Sequence, residues 1–137
     1  MQDVSVLIPH RKPFLFVDEL VSYSIEEIVG KKIFSDADGF LTGTFPGFNF
    51  VPGVVQIEAM AQCGGAGIKK LGLASGYFEL VNVEHAHFSA VVEHQKVFKM
   101  VITNIKIGEK IIKQRGKGLV DDKLCVDATW TCVKFSD

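Results

Sequence analysis

The stretch GTFPGFNFVPGVVQIEAMAQ, residues 43 to 62, carries one carboxylate, Glu58, in a run otherwise free of charge from Gly39 to Ile68. A carboxyl group can deliver a proton or activate water when its surroundings lift its pKa toward the working pH, and an apolar helix surface does that. Val54 and Gln62 lie four residues to either side of Glu58, so all three share one helical face and Gln62 can hold the carboxyl in place. Pro52 suits a helix start, because its missing N–H would have had no partner there. The amides of Gly53 and Val54 then point outward at the positive end of the helix dipole. Such donors can hold a carbonyl oxygen on which negative charge develops, as in an enolate or a tetrahedral oxyanion. Gly53 also lets a substrate come close to the backbone. A helical Glu is ordinarily a solvated surface group, but a surface helix would carry several charges over this span.

A base to match that acid is harder to find. Thr44, fourteen positions upstream of Glu58, has a hydroxyl that is a very poor proton acceptor at neutral pH. His10 is expected to anchor the chain end by hydrogen bonds. His85 and His87 alternate onto one face of a strand, a geometry able to bind a metal, yet no Asp, Cys or third His stands near them, so no metal is expected. His94 falls in a loop and is expected to be solvated. Phe40, Phe45, Phe48 and Phe50 crowd eleven residues beside the helix start. They suit either packing at a dimer interface or the lining of an acyl-chain pocket.

The elements that must position these groups follow from periodicity and turn residues. Residues 14–24 and 27–35 read as strands, 36–53 as loop, and 54–71 as a helix ended by Lys69, Lys70 and a Gly72 cap. Residues 77–88, 96–107, 110–120 and 123–135 read as four further strands. In the last, Leu124, Val126, Ala128, Trp130 and Cys132 alternate with Asp127, Thr129 and Thr131. Gly108-Glu109 and Asp121-Asp122 mark hairpin connections. The helix holds Gly64, Gly65 and Gly67. Each internal Gly costs about 1 kcal/mol relative to Ala, and close approach by surrounding structure would offset that. The fold class is therefore α+β, an antiparallel sheet wrapped on a central helix, as a single domain over residues 1–137.

Bulk properties narrow the function. The 137 residues are 47% hydrophobic and 23% charged, with a net charge of −1. That balance provides no global field to recruit nucleic acid. The longest uncharged stretch is broken by Pro46, Pro52 and glycines, so no membrane insertion is expected. The N-terminus lacks a basic leader followed by an apolar run, which argues against a secretory signal. Cys63, Cys125 and Cys132 show no C-x-x-C spacing, which suits reduced thiols and a cytoplasmic location.

Residues 43–62 are similar to the signature of the 3-hydroxyacyl-acyl-carrier-protein dehydratases of bacterial fatty-acid synthesis. IPHRKPFLFVDEL, residues 8–20, resembles that family's leading segment, a Pro-His-Arg followed by an apolar strand ending in Val-Asp. The two motifs stand in the family's order, and the resemblance spans nearly the whole chain. It implies the hotdog fold, a curved antiparallel sheet around one long helix, assembled as homodimers and often as trimers of dimers. It also implies reversible loss of water from a 3-hydroxyacyl thioester to give a trans-2-enoyl thioester. In that reaction a histidine removes the C2 proton, and a carboxylic acid from the partner subunit protonates the departing hydroxyl. The partner molecule would be an acyl-carrier protein or a coenzyme A thioester, with no cofactor.

Carried onto this sequence, the resemblance puts Glu58 at the acid position, Gln62 at its support, and Gly53 and Val54 at the amides that polarise the thioester carbonyl. Phe45 and Phe50 would flank the acyl chain. Thr44 stands where the family has its catalytic histidine. Asn49 replaces a proline of the motif, and AHFSAVVEHQKV, residues 86–97, lacks the family's basic run, leaving His87 and Lys96. Three readings follow: a dehydratase whose base is replaced or supplied from elsewhere, a hotdog thioesterase using Glu58 on water or directly, or a non-catalytic binder of acyl thioesters or a variant altered so that substrate is trapped.

Overall fold

The computed structural model describes residues 3–137, the side chains of Phe40 and Thr42 excepted. Strands β1 (Glu19–Tyr23), β2 (Glu27–Ile33), β3 (Tyr77–Phe88), β4 (Val97–Ile107), β5 (Ile111–Val120) and β6 (Lys123–Ser136) form one antiparallel sheet. Their spatial order is β1-β2-β4-β5-β6-β3. The helix α1 (Gly53–Lys70) follows β2 in the chain and touches all six strands. This is the expected α+β hotdog architecture, a sheet laid around one long helix.

The sheet's inner face shows why these strands curl onto the helix. In β6, Val126, Ala128 and Trp130 are fully buried, as alternation demands of a half-buried strand. Opposite them β5 presents Gly116 and Gly118, where an added methyl would run into the Trp130 and Phe98 rings respectively. The large rings thus occupy space left by small neighbours, the complementary packing that a dense core requires. The β5–β6 hairpin turns at Asp121 and Asp122, both with positive φ (50° and 63°), the conformation of a tight two-residue hairpin turn.

Two of the three helix glycines have the reason expected of them. A methyl on Gly64 would strike the Gln114 side chain, and one on Gly67 would strike Ile28, so the helix backbone lies against the sheet there. Gly65 differs: nothing lies within 4 Å of where its methyl would be. The helix ends as expected, with Gly72 at φ +69° and the Leu73 amide reaching back to Ile68 O at 3.1 Å, a glycine-terminated cap that satisfies late carbonyls.

Three local expectations are corrected. Residues 14–18 do not extend β1. The Phe16 amide donates to Gln62 Oε1 at 2.8 Å and Phe14 O accepts from Gln62 Nε2 at 2.9 Å, so a helix side chain replaces a neighbouring strand. The loop at 36–53 contains a 3-10 turn, Gly39–Gly43. It is tied to β2 through buried Lys32, whose Nζ lies 3.4 Å from Asp18 Oδ1 and 3.3 Å from Asp38 Oδ1. The His94 side chain is largely enclosed rather than solvated, 8% exposed. Its amide donates to Asn49 O, and Phe50 bridges to Glu93, folding the loop before β4 onto the loop before α1.

Candidate functional site

Most of α1 faces the sheet, but the stripe Glu58, Ala61, Gln62, Gly65 and Lys69 does not. It floors a cavity of about 510 Å³. The N-terminal segment closes one side with Leu7, Ile8, His10 and Phe14, while Leu80, Ile112, Gln114 and Cys132 of the sheet close another. Lys69, Tyr77, Glu79 and Phe135 stand along the same cavity, with Lys69 Nζ 5.0 Å from the Tyr77 ring centre. A cavity of this size, largely apolar with a few converging polar groups, is that of a small-molecule site.

Glu58 is the chemical feature of that space. Gln62 Nε2 donates to its Oε2 at 2.9 Å. Burial pushes the Glu58 pKa above the usual carboxylate value, and the Gln62 hydrogen bond offsets this only in part. His10 Nε2 lies 3.5 Å from the same Oε2. Burial pushes the His10 pKa down, and the neighbouring Arg11 charge adds to the effect. The short separation alone would suggest an ion pair, yet burial disfavours charge on both partners. Both shifts run toward the uncharged forms, a carboxylic acid and a neutral imidazole.

His10 is the residue sequence reasoning missed. The chain end is anchored by its neighbours: Arg11 Nη1 donates to Ile8 O at 2.9 Å and His10 O at 2.7 Å, and Gln62 holds Phe14 and Phe16. The His10 ring is left facing Glu58, with Nδ1 buried and without a hydrogen-bond partner. No local spacing could announce a contact across 48 positions.

The other residues singled out by sequence lie elsewhere. Gly53 and Val54 open α1; Val55 and Gln56 are the first amides to donate to Pro52 O, at 3.1 and 3.2 Å, which leaves the preceding two outside the helical ladder. Val54 is exposed. The open side of Gly53 is covered by the Phe88 ring, 2.6 Å from where a methyl would sit. Thr44 donates its hydroxyl to Leu41 O at 2.8 Å, closing the 3-10 turn. Phe45 and Phe50 stack at 4.6 Å, with Phe48 6.0 Å from Phe50; the Phe40 side chain lies outside the described residues. None of these borders the cavity.

His85 and His87 lie on β3 in register with Thr129 and Asp127. Among the described residues no cluster of three or more His, Cys, Asp or Glu could hold a metal. No helix among the described residues is long and apolar enough to cross a membrane. The three cysteines are free and buried, and burial pushes the Cys63 and Cys132 thiols up to about 12.

Chemically, a neutral carboxyl can protonate a leaving oxygen, and a neutral imidazole can accept a proton from carbon or water.

A family model described as the FabA-like domain matches residues 8–129. The 3-hydroxyacyl-acyl-carrier-protein dehydratase FabZ of Hydrogenobaculum sp. (strain Y04AAS1) is 35% identical over 130 residues, covering 92% of this chain and 88% of the relative. The FabZ of Coxiella burnetii (strain RSA 331 / Henzerling II) is 33% identical over 137 residues, covering 96% of each. Among solved structures, the dehydratase heterocomplex ApeI:P from Xenorhabdus doucetiae matches with a TM-score of 0.85. It is 17% identical, over 100% of this chain and 93% of that one, a likeness of fold.

Proposed function

The chain belongs to the FabA-like family, among relatives that are FabZ-type dehydratases, and we propose that it acts on 3-hydroxyacyl thioesters in fatty-acid or related acyl-chain biosynthesis. The observation that carries this reading is the setting of Glu58: one carboxyl, raised by burial, held by Gln62, at the wall of a largely apolar cavity. Glu58 protonates the departing 3-hydroxyl. The Gly53 and Val54 amides lie outside that cavity, so they would polarise a thioester carbonyl, where charge grows as the C2 proton leaves, only in a site completed by a second subunit.

Thr44 takes the position of the family's histidine, and its hydroxyl is engaged with Leu41 O. The base is therefore absent from that position. The substrate arrives on an acyl-carrier protein or coenzyme A, in the cytoplasm. β3 has β6 on one side and, among the described residues, no strand on the other, which supports a homodimer, alone or as a trimer of dimers. In such a dimer Phe45 and Phe50, beside the helix start, would meet the acyl chain of the neighbouring subunit's site.

Thioester hydrolysis is the second reading. It is favoured by the engagement of the Thr44 hydroxyl, because a carboxyl and an amide pair suffice to activate water and hold the oxyanion. One experiment separates the two. Incubation with 3-hydroxyacyl thioesters of several lengths should produce enoyl absorbance that disappears in Glu58→Gln. Release of free thiol without enoyl product would replace the dehydratase reading with the hydrolase. Binding without either product would leave a non-catalytic acyl-thioester receptor.

A further inference from the structure

We propose that His10 is the general base of this site, taking the C2 proton of the substrate at Nε2 while Glu58 protonates the hydroxyl leaving C3. The inference rests on the dehydratase reading above and names the group that reading lacks.

Position carries the argument. Among the described residues, His10 is the one histidine that borders the cavity with Glu58. His94 is largely enclosed in a different loop, 3.5 Å from Asp36, and His85 and His87 lie along β3. A base must come within about 2.6–3.2 Å of the atom it deprotonates. The proton and the hydroxyl to be removed sit on adjacent carbons, so base and acid must themselves be neighbours. His10 Nε2 and Glu58 Oε2 are 3.5 Å apart, close enough to reach both substituents from one side.

The pair is also held as a unit. Gln62 fixes Glu58 through Oε2 and fixes the segment bearing His10 through Phe14 O and the Phe16 amide. The His10 ring lies roughly parallel to that of Phe14, with centres 6.5 Å apart. With Nδ1 buried and unpartnered, no second carboxylate stabilises the imidazolium. That keeps the ring neutral before reaction and ready to give the proton up afterwards.

The step balances within the pair. The C2–H bond breaks toward His10, and its electrons form the C2=C3 double bond. The C3–O bond breaks with its electrons kept by oxygen, which takes the Glu58 proton and leaves as water. His10 is then an imidazolium and Glu58 a carboxylate, and passage of one proton from His10 to Glu58 restores both. The charged groups nearest His10 are Glu58, 3.5 Å away, and the adjacent Arg11, while Lys69 and Glu79 line the same cavity.

The test uses the full chain and a 3-hydroxyacyl thioester. His10→Ala should lower kcat by about a hundredfold or more with KM within about threefold, and free imidazole should restore part of the rate. His10→Gln, closer in shape, should lose the same activity while melting like the parent and should not respond to imidazole. In the parent, kcat/KM should fall on the acid side as His10 takes up a proton, at a pH below the ordinary imidazole value because burial lowers its pKa, and on the alkaline side as Glu58 loses its proton. Parent-like kcat in either variant overturns the proposal, and so does a loss in His10→Ala that imidazole leaves untouched. If both variants unfold, the parent profile decides: a kcat/KM with no acid limb down to the pH at which the fold itself melts excludes a histidine base. These outcomes spare the dehydratase reading, which falls separately if the parent neither binds nor dehydrates the thioester.

Discussion

Gln62 Nε2 lies 2.9 Å from Glu58 Oε2, and the same amide group closes onto the chain at Phe14 O and the Phe16 amide. One side chain, a helical turn beyond the carboxyl, therefore fixes the acid and the N-terminal segment together. Gln62→Leu keeps the volume but strands a buried amide and a partly buried carbonyl. Each stranded group costs about 1–3 kcal/mol, so urea unfolding should show a loss of about 2–6 kcal/mol. Proteolysis should turn to residues 10–16 first. A melting curve matching the parent would mean that water takes over both bonds.

Glu58→Gln should remove about a hundredfold or more of any dehydration rate, and it should also stabilise the fold at high pH. The sign follows from burial, which raises the carboxyl pKa in the folded chain above its unfolded value. The folded state then binds the proton more tightly, so this contribution is present below the unfolded pKa and is lost as pH rises through the folded one. The variant should melt above the parent at pH 8, with the gain gone at pH 4. A gain equal at both pH values would point to packing instead of charge.

The link between Glu58 and Gln62 was legible in the sequence because it is local, four residues on one helix. β6 was legible because its buried face repeats every second residue, and the glycines signalled a crowded helix at Gly64 and Gly67. His10 was illegible for the opposite reason: its relation to Glu58 is created by the Gln62 bonds that fold residues 14–16 back onto α1. Those bonds also explain why Phe14 and Phe16, in an apolar run that suggests a strand, pair with a side chain instead. Solvation was expected of His94 because its loop is polar, and the Phe50–Glu93 bridge between two loops overrides that composition. The helix-start residues were recognised by their types, but nothing in their spacing showed that Phe88, 35 positions on, would lie over Gly53.

The helix glycines should respond in opposite directions. At Gly65 a methyl meets nothing within 4 Å, so Gly65→Ala should gain up to about 1 kcal/mol from helix propensity. At Gly67 the methyl would approach three atoms of Ile28 at 2.5–2.6 Å. Overpacking of this kind costs about 1–3 kcal/mol and should outweigh the propensity gain. Equilibrium unfolding of the two variants side by side gives both signs at once. A destabilising Gly65→Ala would show that another surface, such as a second copy of the chain, packs against that stripe.

Cysteine chemistry offers a check on the cavity that needs no substitution. Burial pushes the Cys63 and Cys132 thiols up to about 12, so about one molecule in ten thousand carries either thiolate at pH 8, and reagents that need the thiolate should react slowly. The two differ in position: Cys132 borders the cavity, whereas Cys63 faces the sheet core, its Sγ 2.5 Å from where a methyl on Gly30 would sit. Slow modification in the native protein should therefore reach Cys132 before Cys63, as mass spectrometry of the labelled peptides would show. A saturated acyl thioester, unable to lose water, should slow labelling of Cys132 about tenfold at saturation, by excluding reagent from the space it fills, and leave Cys63 unchanged. Equal slowing at both would report general stiffening of the fold. Protection at neither, with binding shown independently, would place the acyl chain outside this cavity.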